Sequence, residues 1–326
     1  MNRKNSTLAL VTLIAGLTGC NATASSQVGV ADPETAPAAR SAAPAVEAPK
    51  TAAVHYAAKP ATPAPAPADA LEAVRVAHDG AVIDPADQAW QSSKPRTVTL
   101  QPQNVTTPNN LSPAVTEMTV RSVHNGQWLS ILLEWNDPTK SDRLVVDQFG
   151  DQVAVQLPLR FRADAPYNPM MGAPDERVNI IQWRAAFQAD LDRKRSLEVR
   201  DLYPHAHSDL YPDKVLNAID LRAYLGAAGV DNPVAAHRAS PVLDQVAEGF
   251  GSLTVKQHQE ADGQGTWSNG QWHVVITLPM APEGTNAPNL TGGDQSTVAF
   301  AVWEGGNQEV GSRKAWSDWV PLTLAK

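Results

Sequence analysis

Cysteine occurs once in the 326 residues, at Cys20. That excludes an internal disulfide, a thiolate zinc site, an iron–sulfur cluster and a Cys-x-x-Cys-His attachment of haem. Any cofactor of the folded part must be held without thiolates. Also missing are Gly-x-Ser-x-Gly, a Walker motif and a Gly-x-Gly-x-x-Gly opening a helix, so no nucleophile elbow or phosphate cradle can be read, and catalysis by this chain alone has no motif behind it. Positive charge is scarce: 26 Lys and Arg against 34 Asp and Glu leave a net charge of -8. No basic stripe stands out, and a nucleic-acid partner is not expected.

What is present begins with a basic start (Arg3, Lys4) and an apolar run from Leu8 to Leu17, too short to span a bilayer. Residues 1–19 read as an export signal. The ending Leu17-Thr18-Gly19-Cys20 resembles a bacterial lipobox, which makes Cys20 the expected lipidation site. Residues 21–70 hold 19 Ala and 8 Pro without apolar periodicity, so 20–70 read as the acylated cysteine plus a disordered tether. Such a tether spans roughly 40 Å as a coil and on the order of 150 Å if polyproline-like. The expected location is the periplasm, membrane-anchored through the lipid.

From Leu71 to Lys326 the composition is that of one folded domain, and all nine tryptophans fall there. Asn125-Gly126 offers the two positive-φ positions of a type I′ turn, and the segment 127–135 that follows places Leu129, Ile131, Leu133 and Trp135 on one face. The tetrapeptide Asn-Gly-Gln-Trp returns at 269–272, again leading into an apolar strand. Further strands are predicted at 152–159, 177–183, 296–303 and 319–324, and one helix near 216–226. Residues 160–176 and 184–250 read as long irregular segments, the usual place of function in a compact domain. The predicted fold is mainly β: an antiparallel β-sandwich with long loops and one or few short helices.

Candidate site residues carry competing readings. His205 and His207 could share a metal, although histidines in a polar loop are usually solvated. Gly249-Phe250-Gly251 reads as a tight turn before a strand. The tryptophans could form a sugar-stacking platform, but on alternating strands large aromatics mostly fill cores. Met170 and Met171 could be gap-fillers. Lys314, in the aromatic stretch EVGSRKAWSDW (309–319), could form a salt bridge or lay its stem beside Trp316.

An ordered series of segments adds to this: DPADQAW (84–90), LLEWNDPT (132–139), DQVAVQLP (151–158), MMGAP (170–174), VNIIQW (178–183), DLYP (201–204), GFGSLT (249–254), GTWSNGQWHVV (265–275) and VAFAVWEGGNQEVGSRKAWSDWVPL (298–322). Together they resemble the haem-b-binding gamma subunits of type II dimethyl sulfoxide reductase family enzymes, the group of ethylbenzene dehydrogenase, dimethylsulfide dehydrogenase and the selenate and chlorate reductases. The resemblance implies a non-catalytic electron-transfer β-sandwich over 71–326 that holds one b-type haem between a methionine and a lysine. Matched to the motifs, these are Met171 and Lys314, with Met170 as the alternative. Implied partners are a molybdopterin catalytic subunit, an iron–sulfur subunit and a c-type cytochrome or other redox carrier. The alternative expectation is a carbohydrate-binding β-sandwich lipoprotein without haem.

Overall fold

The computed structural model describes residues 69–163, 168–197, 199–205, 232, 234 and 239–326. The chain divides into two units, Met1–His55 and Tyr56–Lys326, and every described residue belongs to the second. Cys20, the export signal, nearly all of the tether, His207 and the helix expected at 216–226 lie outside the described residues.

Among the described residues, fourteen strands form one continuous sheet. They are β1 (Leu71–Arg75), β2 (Arg96–Thr99), β3 (Gln101–Pro102), β4 (Glu117–His124), β5 (Trp128–Asn136), β6 (Gln152–Pro158), β7 (Val178–Arg184), β8 (Val242–Ala247), β9 (Thr254–Val255), β10 (Asp262–Ser268), β11 (Gln271–Pro279), β12 (Gln295–Trp303), β13 (Ala315–Trp316) and β14 (Val320–Leu324). Two helices follow β7 without a long break, α1 (Ala185–Asp192) and α2 (Val199–Leu202). The main path runs β10-β11-β5-β4-β1-β14-β12-β6-β7-β8-β9.

The sheet curls over itself at β12. Its first half, Gln295–Val298, pairs with β14, and its second half, Ala299–Trp303, pairs with β6. The strands on either side of this switch thus become two layers, and side chains alternate between the core they enclose and the outer faces. Leu129, Ile131, Leu133 and Trp135 of β5 all enter the core as the alternation predicted, opposite Val153, Val155 and Leu157 of β6 and Ile181 and Trp183 of β7. Trp183 meets Trp272 of β11 edge-on, ring centroids 4.9 Å apart at 65°, while Trp272 stacks on Trp135 at 6.3 Å. Each such contact adds about 0.5–1.5 kcal/mol beyond the buried area.

Three expectations are corrected. The sheet is mixed rather than wholly antiparallel, because β1 runs parallel to both β14 and β4. The stretch 184–250 is not uniformly irregular: it contains α1, α2 and β8. Finally, only the second Asn-Gly has both residues at positive φ, Asn269 at 52° and Gly270 at 75°. In the first only Gly126 does, at 91°. The side chain of Asn125 is engaged elsewhere: its amide donates to His78 O and Gly80 O, and its Oδ1 accepts from the N–H groups of Gln127 and Trp128.

Candidate functional site

The alternation that fills the core from one face of β6, β7 and β12 leaves the other face of those strands to form the floor of a cavity of about 630 Å³. Ala154 and Gln156, Ile180 and Gln182, and Ala299, Ala301 and Trp303 all line it. Three alanines on neighbouring strands create a depression where larger residues would have closed it. The volume lies within the range of pockets that enclose cofactor-sized ligands. At one end the floor is polar and internally satisfied: Gln182 Nε2 donates to Gln152 Oε1 at 2.7 Å, and Gln182 Oε1 accepts from Arg184 at 3.0 Å and from Gln245 at 3.3 Å.

The walls are loops, and two of them carry the residues singled out in the sequence. Met170 and Met171 stand on one, Lys314 on another, and all three line the same cavity. Met171 and Lys314 are 143 positions apart in sequence. Met171 is held at φ 67°, a left-handed conformation, and is followed by Gly172 at φ 75°. Non-glycine residues rarely adopt that region, and they persist there where their surroundings over-determine them. Here the surroundings are explicit. The N–H of Gly249 donates to Met171 O at 2.7 Å, that of Gly172 to Asn168 O at 3.3 Å, and Gln156 of the floor to Pro169 O at 2.9 Å. Met171 packs against the apolar cluster of Ala154, Val178, Ile180, Ala247 and Trp303.

Lys314 precedes β13, in which Ala315 is fully buried, so alternation turns Lys314 and Trp316 to the cavity side. Its Nζ lies 5.3 Å from the centroid of Trp303. Of the readings open for Lys314, the salt bridge is not formed: among the described residues no carboxylate pairs with it. Burial without a counter-charge lowers its pKa to about 8. The loop that bears it is braced from both sides, by Trp303 Nε1 donating to Gly311 O at 2.9 Å and by Gln103 Nε2 donating to Ser312 O at 3.0 Å.

The remaining candidates do not join this site. His205 is exposed, and its proposed companion His207 lies outside the described residues. None of the nine tryptophans is exposed; five are buried and four half-buried, against a surface stacking platform. Gly249-Phe250-Gly251 is the tight turn expected, with Gly249 at φ 114° and Gly251 at φ 80°. What the sequence reading missed is that Phe250 and Gly251 also line the cavity, as does Trp303. The Gly-Phe-Gly spacing, two flexible residues presenting one aromatic, was the available signal.

Chemically, the cavity offers a thioether and an amine of lowered basicity from separate loops, over an apolar floor with a hydrogen-bonded rim. That donor pair suits a metal of intermediate softness, and not a hard cation.

Comparison with known proteins gives a family and two relatives. The family model described as ethylbenzene dehydrogenase matches residues 87–315. The chain is 22% identical over 255 residues to a putative respiratory nitrate reductase heme subunit of Haloferax mediterranei, covering 78% of this chain and 72% of that protein. It is 23% identical over 241 residues to the chlorate reductase subunit gamma of Ideonella dechloratans, covering 72% of this chain and 77% of that one. Among solved structures, a family 9 carbohydrate binding module from Caldicellulosiruptor kristjanssonii in complex with glucose superposes with a TM-score of 0.36 at 9% identity, covering 78% of this chain and 95% of that one. A superposition that loose does not bear on the choice of ligand.

Proposed function

Because the chain belongs to the ethylbenzene dehydrogenase family, we propose that it is an electron-transfer protein carrying one non-covalent b-type haem in the cavity, with Met171 and Lys314 as axial ligands. One observation carries the reading: two residues 143 positions apart, a strained methionine and a lysine without a counter-charge, line a single apolar cavity. Both relatives named above are subunits of reductases, and one is a heme subunit.

The haem would supply a one-electron couple, raised in potential by a thioether ligand. The residues of this chain do the rest. Lys314 binds a metal only as the neutral amine, so its lowered pKa reduces the cost of displacing the proton. The Met171 loop, tied to the floor through Gln156, presents sulfur from one wall. With Met171 and Lys314 both given to the haem, no ligand position would be left open to a substrate, in keeping with a carrier and not a catalyst. The partners would be a molybdopterin catalytic subunit with an iron–sulfur subunit on one side and a c-type cytochrome or other redox carrier on the other. Acylation at Cys20 would hold the domain at a membrane on its periplasmic side.

The test is a spectrum of the full chain purified from a haem-replete host, oxidised and reduced. A six-coordinate, low-spin, extractable haem is expected. Met171→Ala and Lys314→Ala should each convert it to a five-coordinate or high-spin form, while Met170→Ala should leave it unchanged. A colourless, folded protein overturns the reading; sensitivity to Met170→Ala alone moves the ligand by one residue.

A further inference from the structure

Outside the methionine–lysine pair, the strongest concentration of chemistry is a trio of buried acids. Asp137 directly follows β5, Asp151 directly precedes β6 and Glu304 directly follows β12. Their exposures are 0%, 0% and 6%. One carboxylate oxygen from each lies within 4.8 Å of those of the other two. Among the described residues no lysine, arginine or histidine forms an ion pair with any of them. Three carboxylates taken out of water together, without a cation, carry both a desolvation cost and mutual repulsion.

Their hydrogen bonds are those of charged acceptors. Asp151 Oδ2 accepts from the Ser141 N–H at 2.7 Å and from Trp272 Nε1 at 3.0 Å, and Oδ1 from the Gly305 N–H at 2.9 Å. Glu304 Oε1 accepts from Thr139 Oγ1 at 2.9 Å and the Gly306 N–H at 3.1 Å. Asp137 Oδ1 accepts from the Thr139 N–H at 3.0 Å and stands 3.3 Å from the Thr139 hydroxyl, whose single hydrogen can serve only one of the two acids at a time. Its other oxygen, Oδ2, is wholly buried and has no hydrogen-bond partner. The Trp135 indole N–H lies near enough to the Asp137 carboxyl to help hold its pKa down, but its Nε1 too is buried without a closed hydrogen bond. A fully buried carboxylate oxygen left free beside two other carboxylates is the independent sign that something positive belongs there.

The geometry points to a divalent-cation site, best suited to Ca²⁺, formed by Asp137, Asp151 and Glu304. All three donors are hard oxygens, with no imidazole or thiolate in the set, which disfavours zinc or copper. Ca²⁺ accepts several carboxylates in flexible geometry, whereas Mg²⁺ usually keeps several waters and only one or two carboxylates. Burial pushes the Asp151 carboxyl up to about 7 and the Asp137 carboxyl up to about 6, Asp137 itself adding to the rise at Asp151; a bound cation relieves that same repulsion. The ion would bind the end of β5 in one layer to the ends of β6 and β12 in the other. Asp151 also lines the large cavity, so the ion would brace one end of it. The proposal does not depend on what that cavity holds.

The experiment uses the full chain, stripped with EGTA and titrated with Ca²⁺, Mg²⁺ and Tb³⁺, with and without haem. Ca²⁺ should raise the thermal midpoint by several degrees and Mg²⁺ should do so weakly. Tb³⁺ should give luminescence on tryptophan excitation, because the Trp272 indole is hydrogen-bonded to a ligand. Asp137→Asn, which keeps shape and removes charge, should weaken Ca²⁺ at least about tenfold, since affinity follows ligand charge. Elemental analysis should find one calcium per chain after desalting. Absence of bound calcium together with an unchanged midpoint, or equal Tb³⁺ emission from wild type and Asp137→Asn, overturns the assignment. If Asp137→Asn does not fold, the wild-type titration and the elemental analysis decide alone.

Discussion

At the scale of single residues, the Met171–Gly172 turn is the most constrained point of the cavity. A side chain at Gly172 would be left-handed, and its Cβ would fall 2.3 Å from the carbonyl oxygen of Glu176. Gly172→Ala is therefore expected to cost more than about 1 kcal/mol of stability, because the backbone must move. The same movement displaces Met171, so cofactor uptake should fall with it. Denaturant midpoints and haem titration read the two effects, and wild-type values in both would show the turn to be unconstrained.

His124 gives a residue-scale prediction of a different kind. It is buried, its Nε2 lies 2.9 Å from Ala325 O, and its pKa is lowered, first by burial and also by Arg75. A base whose folded pKa is depressed binds fewer protons folded than unfolded, so its contribution is intact above the unfolded value near 6.5 and is lost as pH falls below it. Wild type should thus lose more stability between pH 7 and pH 5 than His124→Gln. Equal losses in chemical denaturation at the two pH values would remove His124 as a cause.

At the scale of elements, β12 serves both layers, and its outward alanines decide what the outer face can hold. Enlarging Ala301 adds bulk toward the cavity and not toward the packed core, unlike enlarging a residue such as Phe300. Ala301→Phe is expected to leave the unfolding free energy within about 0.5 kcal/mol of wild type while abolishing uptake of a cofactor-sized ligand, as read by haem titration. A large stability loss would mean that the cavity floor cannot accept bulk.

Elements also show what could be read from sequence and why. Strands β5, β6, β7, β11, β12 and β14 were legible because their core faces are apolar and alternate. Strand β4 was not, because Ser122 and His124 are polar residues in buried positions. In β10, Gly263 and Gly265 are small because partners fill their space: a Cβ on Gly265 would come within 2.3 Å of the Trp183 ring. The cause lies on another strand, where no local pattern can report it. Helix α1 has no side-chain cap at Arg184, so its start carries no signal. As for the site, Met171 and Lys314 came only through resemblance, and residues alone left the first as a gap-filler and the second as a salt bridge or a stem beside Trp316. The cavity that unites them depends on Ala154, Ala299 and Ala301, which in sequence are ordinary strand residues. Asp137, Asp151 and Glu304 sit at strand ends, where acids are normally solvated.

At the scale of the whole molecule, the two layers close only when distant parts of the chain meet. Leu71 of β1 pairs with Leu322 of β14, and the Ala325 N–H donates to Ala73 O at 2.9 Å. Ending the chain after Asp318 removes β14, leaving β1 paired on one edge only, with β4, and the first half of β12 without its partner. Such a chain is expected to be unfolded, as read by loss of near-ultraviolet dichroism and rapid proteolysis; a protected, cooperative domain would contradict the pairing.

The parallel placement of β1 between β4 and β14 also sets an order in time. During synthesis β1 emerges first, yet one of its edges stays open until residues 320–324 have followed it out of the ribosome. Pairings that join such remote segments form slowly. The two layers can therefore close only once nearly the whole chain has been made.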